Sequence, residues 1–471
     1  MTFNSLLFML FLPLVLAVHY LPLPWTLRKV NLIGLSYLFY AAWHPPYVVL
    51  LWVCTVVDWF IAKGLARSTS LRERRAMLAA SIAVNLGILV VFKYAGMLVE
   101  SAGRLARFAG LHVQFAAPDI LLPIGISFFV FMSLSYTIDL YRGHTEPCKS
   151  FTDYALFITF FPHLVSGPIV RASHFLPQCE APRKATGHQF GWGAVLILCG
   201  LFQKVVLADQ FMAPMAAKLF DKPVVPDMLS AWIGAMAFSI QILADFSGYT
   251  MCAVGIALML GFEFPDNFRY PYAAIGFSDF WRRWHISLSS WLRDYLYIGL
   301  GGNRRGTVRT YGNLMLTMLL GGLWHGAAWH FVAWGGLHGA YLVLERLLRP
   351  LFPSRWKNAA TRLIAAVATY ACVCVAWVFF RASSVASAVT ICRSLSPIGP
   401  MGSIRLFGKD SIPLLGVILS ALLFQWLMRN TSLEAVARRV PWWGRAVLMA
   451  AMMAAIVMSP GEDRAFIYFA F

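Results

Sequence analysis

The chain has 471 residues, of which 59% are hydrophobic and only 13% are charged. Soluble domains carry about a quarter charged residues, so this composition excludes an ordinary soluble protein. Apolar stretches of about 20 residues, the length that crosses a bilayer, recur from end to end. We therefore predict one all-α, multi-span membrane domain over residues 1–471, with roughly ten to twelve crossings.

The basic residues behind the net charge of +18 cluster in short connectors at 63–75, 304–309 and 438–445. Lys and Arg beside the ends of a span resist translocation and mark the cytoplasmic side of a membrane. This placement favours a topological role over nucleic-acid binding, and we predict no nucleic-acid partner. The same residues also allow a basic entrance for a phosphorylated cytosolic donor.

The first apolar run has no basic residue before it and no clear cleavage site, so it is predicted to be a retained span. Arg28 and Lys29 follow this run, which predicts a periplasmic N-terminus. The predicted spans or span pairs lie at 3–20, 31–62 (broken at 44–46), 77–98, 119–140, 153–170, 190–208, 228–262, 312–347 (two helices), 361–380, 412–428 and 445–459.

One segment interrupts this regular pattern. The string FFPHLVSGPIVR, residues 160–171, carries His163, Gly167 and Pro168 within apolar surroundings. Non-helical backbone at membrane depth is tolerated only where protein buries it or where it lines a watery cavity. The segment is therefore a first indication of an internal chamber.

The string FWRRWHISLSSWLRDYLYI, residues 280–298, predicts an amphipathic helix lying along the membrane interface. Helical spacing places Trp284 and His285 in an aromatic stripe, and it places Arg282, Arg283 and Arg293 on the opposite face. His285 is unusual because it lies among aromatic residues instead of arginines. The sequence leaves two interpretations open, a histidine bonded to a neighbouring carbonyl and a functional histidine.

Two pairs of glycines, at 322 and 326 and at 335 and 339, have the spacing that lets helix backbones approach closely. His325 and His338 each precede the second glycine of a pair. Polar side chains inside a membrane are costly and tend to mark functional sites. For His330 and His338 the preferred interpretation is a hydrogen bond across helices, whereas both interpretations stay open for His325.

A histidine suits proton removal near neutral pH, and a hydroxyl that attacks a thioester needs such a base. A metal site is less attractive, because no H-E-x-x-H string and no carboxylate accompanies these histidines. The eight cysteines form no C-x-x-C pair, so we predict neither a disulfide framework nor a metal centre.

Asp245 is the single acid in the apolar stretch 239–260. An aspartate at membrane depth should pair with a cation or bind backbone groups where the Phe-Ser-Gly string breaks the helix. Orienting an arginine or a histidine is as compatible with this position as direct chemistry. Structural support is the preferred interpretation.

Several long strings occur in an order that resembles the bacterial membrane-bound O-acyltransferases, in particular the membrane subunit of alginate O-acetyltransferases. They are LLPIGISFFVFMSLSYTIDLYRG (121–143), FFPHLVSGPIVR (160–171), DFSGYT (245–250), FWRRWHISLSSWLRDYLYIGLGGN (280–303), LLGGLWHGAAWHFVAWGGLHG (319–339) and WVFFRA (377–382). The resemblance covers most of the chain, with the catalytic core at about 119–347.

The resemblance implies that the histidine of Trp-His-Gly, here His325, is catalytic, together with His285 of Arg-Arg-Trp-His-Ile-Ser. It also implies a ring of helices around a central funnel with these histidines at its base. The candidates for substrate binding or support are Asp245, Trp324, Arg282, Arg283, Trp284, Arg293 and His338. The family's usual second acid after the Asp-Phe-Ser-Gly string is replaced by Met251, which leaves Asp245 alone there.

The function that the resemblance implies is transfer of an acetyl group from a cytoplasmic thioester, acetyl-CoA or a similar donor, across the bacterial inner membrane. The acceptor would be an exported polysaccharide, reached through a periplasmic acetyltransferase or carrier partner, and no cofactor is expected to stay bound. Relatives act on alginate, cellulose and peptidoglycan, or transfer D-alanine to teichoic acid. D-alanyl transfer, a polysaccharide transporter and a structural scaffold for an export complex are the alternatives.

Overall fold

The computed structural model describes every residue except 112–115, 117, 119, 166, 223–224, 349–357, 398–403, 409–410, 460–465 and 468–471. Within these residues the regular structure is helical, with one isolated parallel bridge between Pro226 and Ile404. The chain forms two compact units. The first unit contains residues 1–197 and 250–265, and the second contains residues 198–249 and 266–471.

The helices up to residue 175 all belong to the first unit. They are α1 (Leu6–Tyr20), α2 (Trp25–Ala41), α3 (Tyr47–Arg67), α4 (Leu71–Leu89), α5 (Ala95–Phe108), α6 (Ile126–Arg142), α7 (Phe151–Thr159), α8 (Phe161–Leu164) and α9 (Ala172–Phe175). A π-helical turn over Val90–Tyr94 joins α4 to α5, and a 3-10 turn over Leu176–Cys179 follows α9.

The later helices belong to the second unit, except that α10 and α12 have residues in both units. They are α10 (Gly187–Leu201), α11 (Ala213–Phe220), α12 (Met228–Met259), α13 (Phe277–Trp281), α14 (Ile286–Trp291), α15 (Thr307–His325), α16 (Trp329–Leu348), α17 (Ala359–Arg381), α18 (Val385–Ser394), α19 (Ile412–Leu427), α20 (Leu433–Arg439) and α21 (Trp442–Met458). π-helical segments cover Phe202–Met212 and Leu292–Tyr297, and a 3-10 turn covers Pro271–Ala273.

Five helical stretches among the described residues are long and apolar enough to cross a membrane. They are Tyr47–Arg67, Leu71–Phe108, Gly187–Phe220, Met228–Met259 and Ala359–Arg381. Four apolar helices are shorter, namely α1, α18, α19 and α21. The helical architecture is as predicted, and the figure of roughly ten to twelve crossings stays a prediction.

The predicted interruption at 160–171 is present in the first unit. Helix α7 ends at Thr159, and the backbone then folds back so tightly that a Cβ on Gly167 would lie 2.5 Å from the Cα of His163. The His163 ring is fully buried, and its Nε2 lies 2.9 Å from the Phe157 carbonyl oxygen. Protein therefore buries this irregular backbone, which satisfies the condition for such a segment in a membrane protein.

Arg28 and Lys29 follow α1, as the sequence indicates, but they lie inside the next helix and not between helices. Both are buried within α2. Arg28 donates to the Arg183 carbonyl oxygen at 2.8 Å, and Lys29 pairs with the Asp153 carboxylate. These partners are more than 120 residues away in the sequence, which is why charge placement alone missed them. The periplasmic N-terminus stays a prediction.

The predicted close approach of helix backbones is present at Gly322, Gly335 and Gly339, whereas Gly326 lies past the end of α15 in extended backbone. A Cβ on Gly322 would lie 3.1 Å from the Cα of Gly335 and 2.3 Å from the Phe331 carbonyl oxygen. A Cβ on Gly335 would lie 2.2 Å from the Met318 carbonyl oxygen. Helices α15 and α16 therefore touch backbone to backbone. This contact fixes the end of α15, where His325 lies, against the face of α16 that carries His338.

Replacing Gly335 with alanine is expected to lower the thermal unfolding midpoint of the purified protein in detergent. The clash is with backbone, which cannot move aside as a side chain can, and overpacking costs about 1–3 kcal/mol. Gly336→Ala is the matched control, because its Cβ would lie 3.4 Å from the Leu319 Cδ2, an ordinary contact. Equal midpoints for the two variants would contradict the close approach.

Candidate active site

The segment 280–298 is not one continuous helix, so that prediction is wrong. Helix α13 ends at Trp281, α14 begins at Ile286, and the Leu292–Tyr297 segment is π-helical. His285 lies at the break with φ 42° and ψ 56°, in the left-handed region. This conformation costs a residue other than glycine roughly 1–2 kcal/mol. The break between α13 and α14 could not be predicted from the sequence, because no glycine or proline occurs there.

Asn267 holds the strained turn in place. Its side-chain oxygen accepts from the Ser287 backbone N–H at 3.2 Å and from the Ser287 hydroxyl at 2.8 Å, and it lies 3.1 Å from His285 Nδ1. The Asn267 carbonyl oxygen accepts from the Ile286 N–H at 2.9 Å. Because the oxygen of Asn267 only accepts, Nδ1 of His285 carries the proton and Nε2 is the acceptor of the ring.

His285 is fully buried among aromatic rings. The Phe246 ring lies at 4.7 Å in an edge-on arrangement and the Phe268 ring at 6.4 Å, both measured between ring centroids. Burial lowers the pKa of His285 to about 3, because an apolar environment disfavours the charged imidazolium. The ring is therefore neutral at physiological pH.

His325 is the last residue of α15 and is also buried. Its ring contacts Trp324 at 5.0 Å, Trp334 at 4.9 Å and Phe380 at 5.4 Å between centroids. The chain can leave the helix here only through a residue without a side chain, because a Cβ on Gly326 would lie 2.1 Å from the Phe331 ring. The Trp-His-Gly string thus places the imidazole where α15, α16 and α17 contribute its walls.

The ring of Trp324 joins the two histidines. It lies 6.1 Å from the His285 ring and 5.0 Å from the His325 ring. All three residues belong to the second unit, so the site is described within one compact part of the chain. The structure brings together the two imidazoles that the sequence singled out, with an indole in contact with both.

The predictions for the other two histidines had different outcomes. His330 Nδ1 lies 3.0 Å from the Phe379 carbonyl oxygen, so the predicted hydrogen bond across helices is confirmed. His338 is fully buried, and neither ring nitrogen has a hydrogen-bond partner within the described residues, so the same prediction was wrong for it. Its ring instead stacks on Phe280 at 5.8 Å and meets Trp334 edge-on at 4.8 Å.

Asp245 pairs with a cation, as predicted, and the cation is Lys204. The Lys204 ammonium lies 2.7 Å from Asp245 and 2.9 Å from Asp209. The second carboxylate oxygen of Asp245 accepts from the Ile467 N–H at 2.7 Å. The predicted break at the Phe-Ser-Gly string is wrong, because α12 continues through it to Met259. The π-helical segment Phe202–Met212 brings Lys204 and Asp209, five residues apart, to one side.

Arg283 is engaged inside the protein. Its Nε donates to Asp279 at 2.9 Å, and Arg429 donates to the other oxygen of Asp279 at 2.8 Å. Burial alone would raise the pKa of Asp279, but a backbone N–H and the two guanidinium groups outweigh it and hold that pKa below its ordinary value. These contacts anchor α13 and the turn that leads to His285.

The remaining residues from the arginine-rich string lie in different environments. Arg282 is exposed, and Arg293 is an exposed residue paired with Asp294 at 2.7 Å. Trp284 is fully buried and stacks on Phe280 at 5.9 Å. The two exposed arginines are accessible to a ligand, whereas Trp284 is part of the aromatic packing around the site.

Sequence reasoning missed two residues that support the site. Lys204 is a lone cation in the predicted span 190–208, and pairing it with the lone acid of the span 239–260 would have found the contact. Asn267 follows the end of α12 in the string FPDNFRY, where an amide among aromatic and charged residues gives no comparable signal. Only the fold brings Asn267 to His285.

The fold and site define an all-helical membrane protein with two buried imidazoles, His285 and His325, in contact with the same indole ring. A family model of the membrane-bound O-acyltransferases matches residues 144–389. The chain belongs to this family and is an O-acyltransferase embedded in a membrane by several helices, as predicted.

Individual relatives give the same result over most of the chain. A probable alginate O-acetylase AlgI of Azotobacter vinelandii is 42% identical, over 82% of this chain and 76% of the relative. A peptidoglycan O-acetyltransferase of Helicobacter pylori is 34% identical, over 78% of this chain and 73% of the relative. A teichoic acid D-alanyltransferase of Bacillus subtilis is 27% identical, over 55% of this chain and 68% of the relative.

Replacing Asn267 with leucine is expected to reduce acyl transfer by about 10- to 100-fold, because the oxygen that orients His285 is lost. Asn267→Asp keeps an acceptor oxygen at the same place and should retain far more activity. The measurement is the ester content of the acylated product, at equal amounts of each variant in the membrane. A leucine variant as active as the aspartate variant would show that Asn267 does not position the ring.

Replacing Lys204 with methionine is expected to destabilise the protein by about 3–5 kcal/mol, because buried carboxylates lose their cation. The double variant Lys204→Met, Asp245→Asn should recover part of this loss, since it also removes one of the stranded charges. The free energy of unfolding in detergent is measured for the wild type, both single variants and the double variant. These four values give the coupling between Lys204 and Asp245. If the stability lost by the double variant equals the sum of the losses of the two single variants, the ion pair is contradicted.

Proposed function

We propose that this protein transfers an acetyl group from a cytoplasmic thioester donor, acetyl-CoA or a similar molecule, for O-acetylation of an exported polysaccharide. The observation that carries the proposal is the pair of buried imidazoles, His285 and His325, in contact with one indole ring. The names of the Azotobacter vinelandii and Helicobacter pylori relatives support acetyl as the group transferred. An acceptor of the alginate or cellulose type is the leading candidate.

In the proposed reaction His325 acts as the general base. It takes the proton of an acceptor hydroxyl while the oxygen attacks the thioester carbonyl carbon. The tetrahedral intermediate then collapses, the carbon–sulfur bond breaks, and the proton passes to the departing thiolate. The products are the acetyl ester and the free thiol. Positive charge that develops on His325 lies at the carbonyl end of α15, where a helix stabilises cations.

His285 is proposed to orient the group that attacks the acyl thioester, because a thioester has no hydrogen-bond donor for Nε2. Because Nδ1 donates to Asn267, its Nε2 can orient a group that donates a hydrogen bond, such as the attacking hydroxyl or a water. Trp324 would hold the substrate between the two imidazoles, since its ring contacts both. Asp245 would support this arrangement indirectly, by fixing Lys204 within the second unit.

Donor recognition is assigned to the arginine-rich string. Arg282 and Arg293 are exposed and can meet the phosphates of a donor. Arg283 contributes by holding Asp279 and the turn before His285. We place the protein in the bacterial inner membrane with a periplasmic N-terminus. A periplasmic acetyltransferase or carrier subunit would complete delivery to the polymer.

Transfer of D-alanine to a cell-wall polymer is the second candidate. The Bacillus subtilis teichoic acid D-alanyltransferase favours it, but that relative is less similar and covers less of the chain than the acetylating relatives. The two candidates differ in the mass that they add to a polymer hydroxyl, so mass analysis of the extracellular polymer separates them directly.

Cells carrying His325→Ala are expected to export polymer without acetyl esters, because the base is lost while the aromatic walls remain. His330→Ala is the matched control, since His330 lies on the neighbouring helix and bonds only to a backbone oxygen. Membrane levels of both variants are compared with the wild type by immunoblot. A His325→Ala protein at normal levels that acetylates the polymer fully would refute the proposal.

A further inference from the structure

His338 belongs to a closed circuit of aromatic rings, and we call this circuit, together with Trp281, the tryptophan cluster. His338 contacts Trp334 at 4.8 Å and Trp281 at 5.0 Å between centroids. The circuit continues from Trp334 to Trp377 at 5.8 Å and from Trp377 to Trp284 at 4.9 Å. Phe280 closes it, lying 5.9 Å from Trp284 and 5.8 Å from His338.

The polar atoms of the tryptophan cluster have no hydrogen-bond partners within the described residues. This holds for the four indole Nε1 atoms and for both nitrogens of His338. Buried indole N–H groups usually find an acceptor, and leaving a buried donor without one costs free energy. Six buried polar atoms without a partner in one aromatic cluster indicate a binding site for a polar ligand.

The donors and acceptors of the tryptophan cluster determine which kind of ligand it can bind. An indole N–H can only donate, and a neutral imidazole offers one donor and one acceptor. The tryptophan cluster therefore presents five donors and one acceptor, so its ligand must carry an oxygen that accepts hydrogen bonds. Its remaining surface must be small and apolar to match the aromatic walls. A short acyl group has both properties, a carbonyl oxygen and a methyl group.

The position of the tryptophan cluster connects it to the proposed chemistry. The Trp334 ring lies 4.8 Å from the His338 ring and also 4.9 Å from the His325 ring. A ligand held by His338 and Trp334 is therefore close to the proposed base. No other described indole contacts both of these imidazoles in the same way.

We propose that His338, with the indole N–H groups of the tryptophan cluster, forms the subsite that binds the acyl group of the donor. The carbonyl oxygen accepts hydrogen bonds from one or two of these N–H groups, and the aromatic rings limit the length of the acyl chain. His338 is in this account a binding residue. The inference rests on the proposed acyl transfer and names the residues that select the transferred group.

Acetate, the carboxylate that hydrolysis of an acetyl thioester releases, is a probe of this subsite that requires no turnover. Saturation-transfer NMR on the full-length protein in detergent should detect acetate binding, with weaker binding of butyrate. His338→Phe should weaken acetate binding by about 10-fold or more, because it removes both ring nitrogens. His338→Gln keeps a donor and an acceptor and should bind within about 3-fold of the wild type.

The same two variants test for a purely structural role of His338. A structural role predicts the opposite ranking of the two variants. In a dry aromatic core, phenylalanine would be the tolerated residue and glutamine the disruptive one. In the subsite, His338→Phe folds with a wild-type or higher unfolding midpoint and raises the KM for the acyl donor with a smaller effect on kcat. His330→Phe is the control that should leave acetate binding unchanged.

Trp334→Phe gives a second test, because it retains an aromatic ring and removes the N–H. It should also weaken acetate binding. No acetate signal in the wild type, an unchanged signal in His338→Phe, or preferential binding of tetramethylammonium to the aromatic faces would each overturn the subsite. If acetate binds as expected while His325→Ala still acetylates the polymer, the subsite stands and the proposed function fails.

Discussion

The backbone contact between α15 and α16 is the constraint on which the site depends. At Gly322 and Gly335 a single methyl group would lie 2.3 Å or 2.2 Å from a backbone oxygen of the facing segment. Two helices this close cannot slide or separate without losing a continuous surface of contact. The contact fixes the carbonyl end of α15, and with it His325, against the Trp334 ring of α16.

The second histidine is held by a different means. His285 lies in a left-handed turn whose cost is offset by the hydrogen bonds that Asn267 accepts. The turn aims the imidazole away from the direction that a regular helix would give it. Strained residues persist where their surroundings over-determine them, and they concentrate at functional sites. The strain at His285 is therefore consistent with a position selected for function.

Sequence patterns predicted those parts of the fold that follow from local rules. The glycine pairs predicted close helix contact, the Pro- and Gly-containing string at 160–171 predicted a break, and the lone acid Asp245 predicted a cation partner. Each depends on the chemistry of one short segment. The family resemblance added the identity of the two candidate histidines.

The parts that the sequence did not predict depend on contacts between distant segments. Arg28 lies inside α2 because Arg183 and its neighbours supply acceptors for it. The break at His285 depends on Asn267, 18 residues earlier, and not on a helix-breaking residue. His338 has the sequence context of a bonded core histidine, yet its nitrogens lie in an aromatic cluster with no protein acceptor among the described residues. In each case tertiary partners override the local pattern.

We propose that acyl transfer takes place beside His325 in the second unit. Electron cryo-microscopy of the protein with a non-hydrolysable acetyl thioester analogue tests it most directly. We expect the acyl carbon about 3–3.5 Å from the place where a hydroxyl hydrogen-bonded to His325 would lie, with the acyl oxygen toward Trp334 and His338. An analogue bound only to residues of the first unit, with the His325 ring in dry contact on all sides, would contradict it.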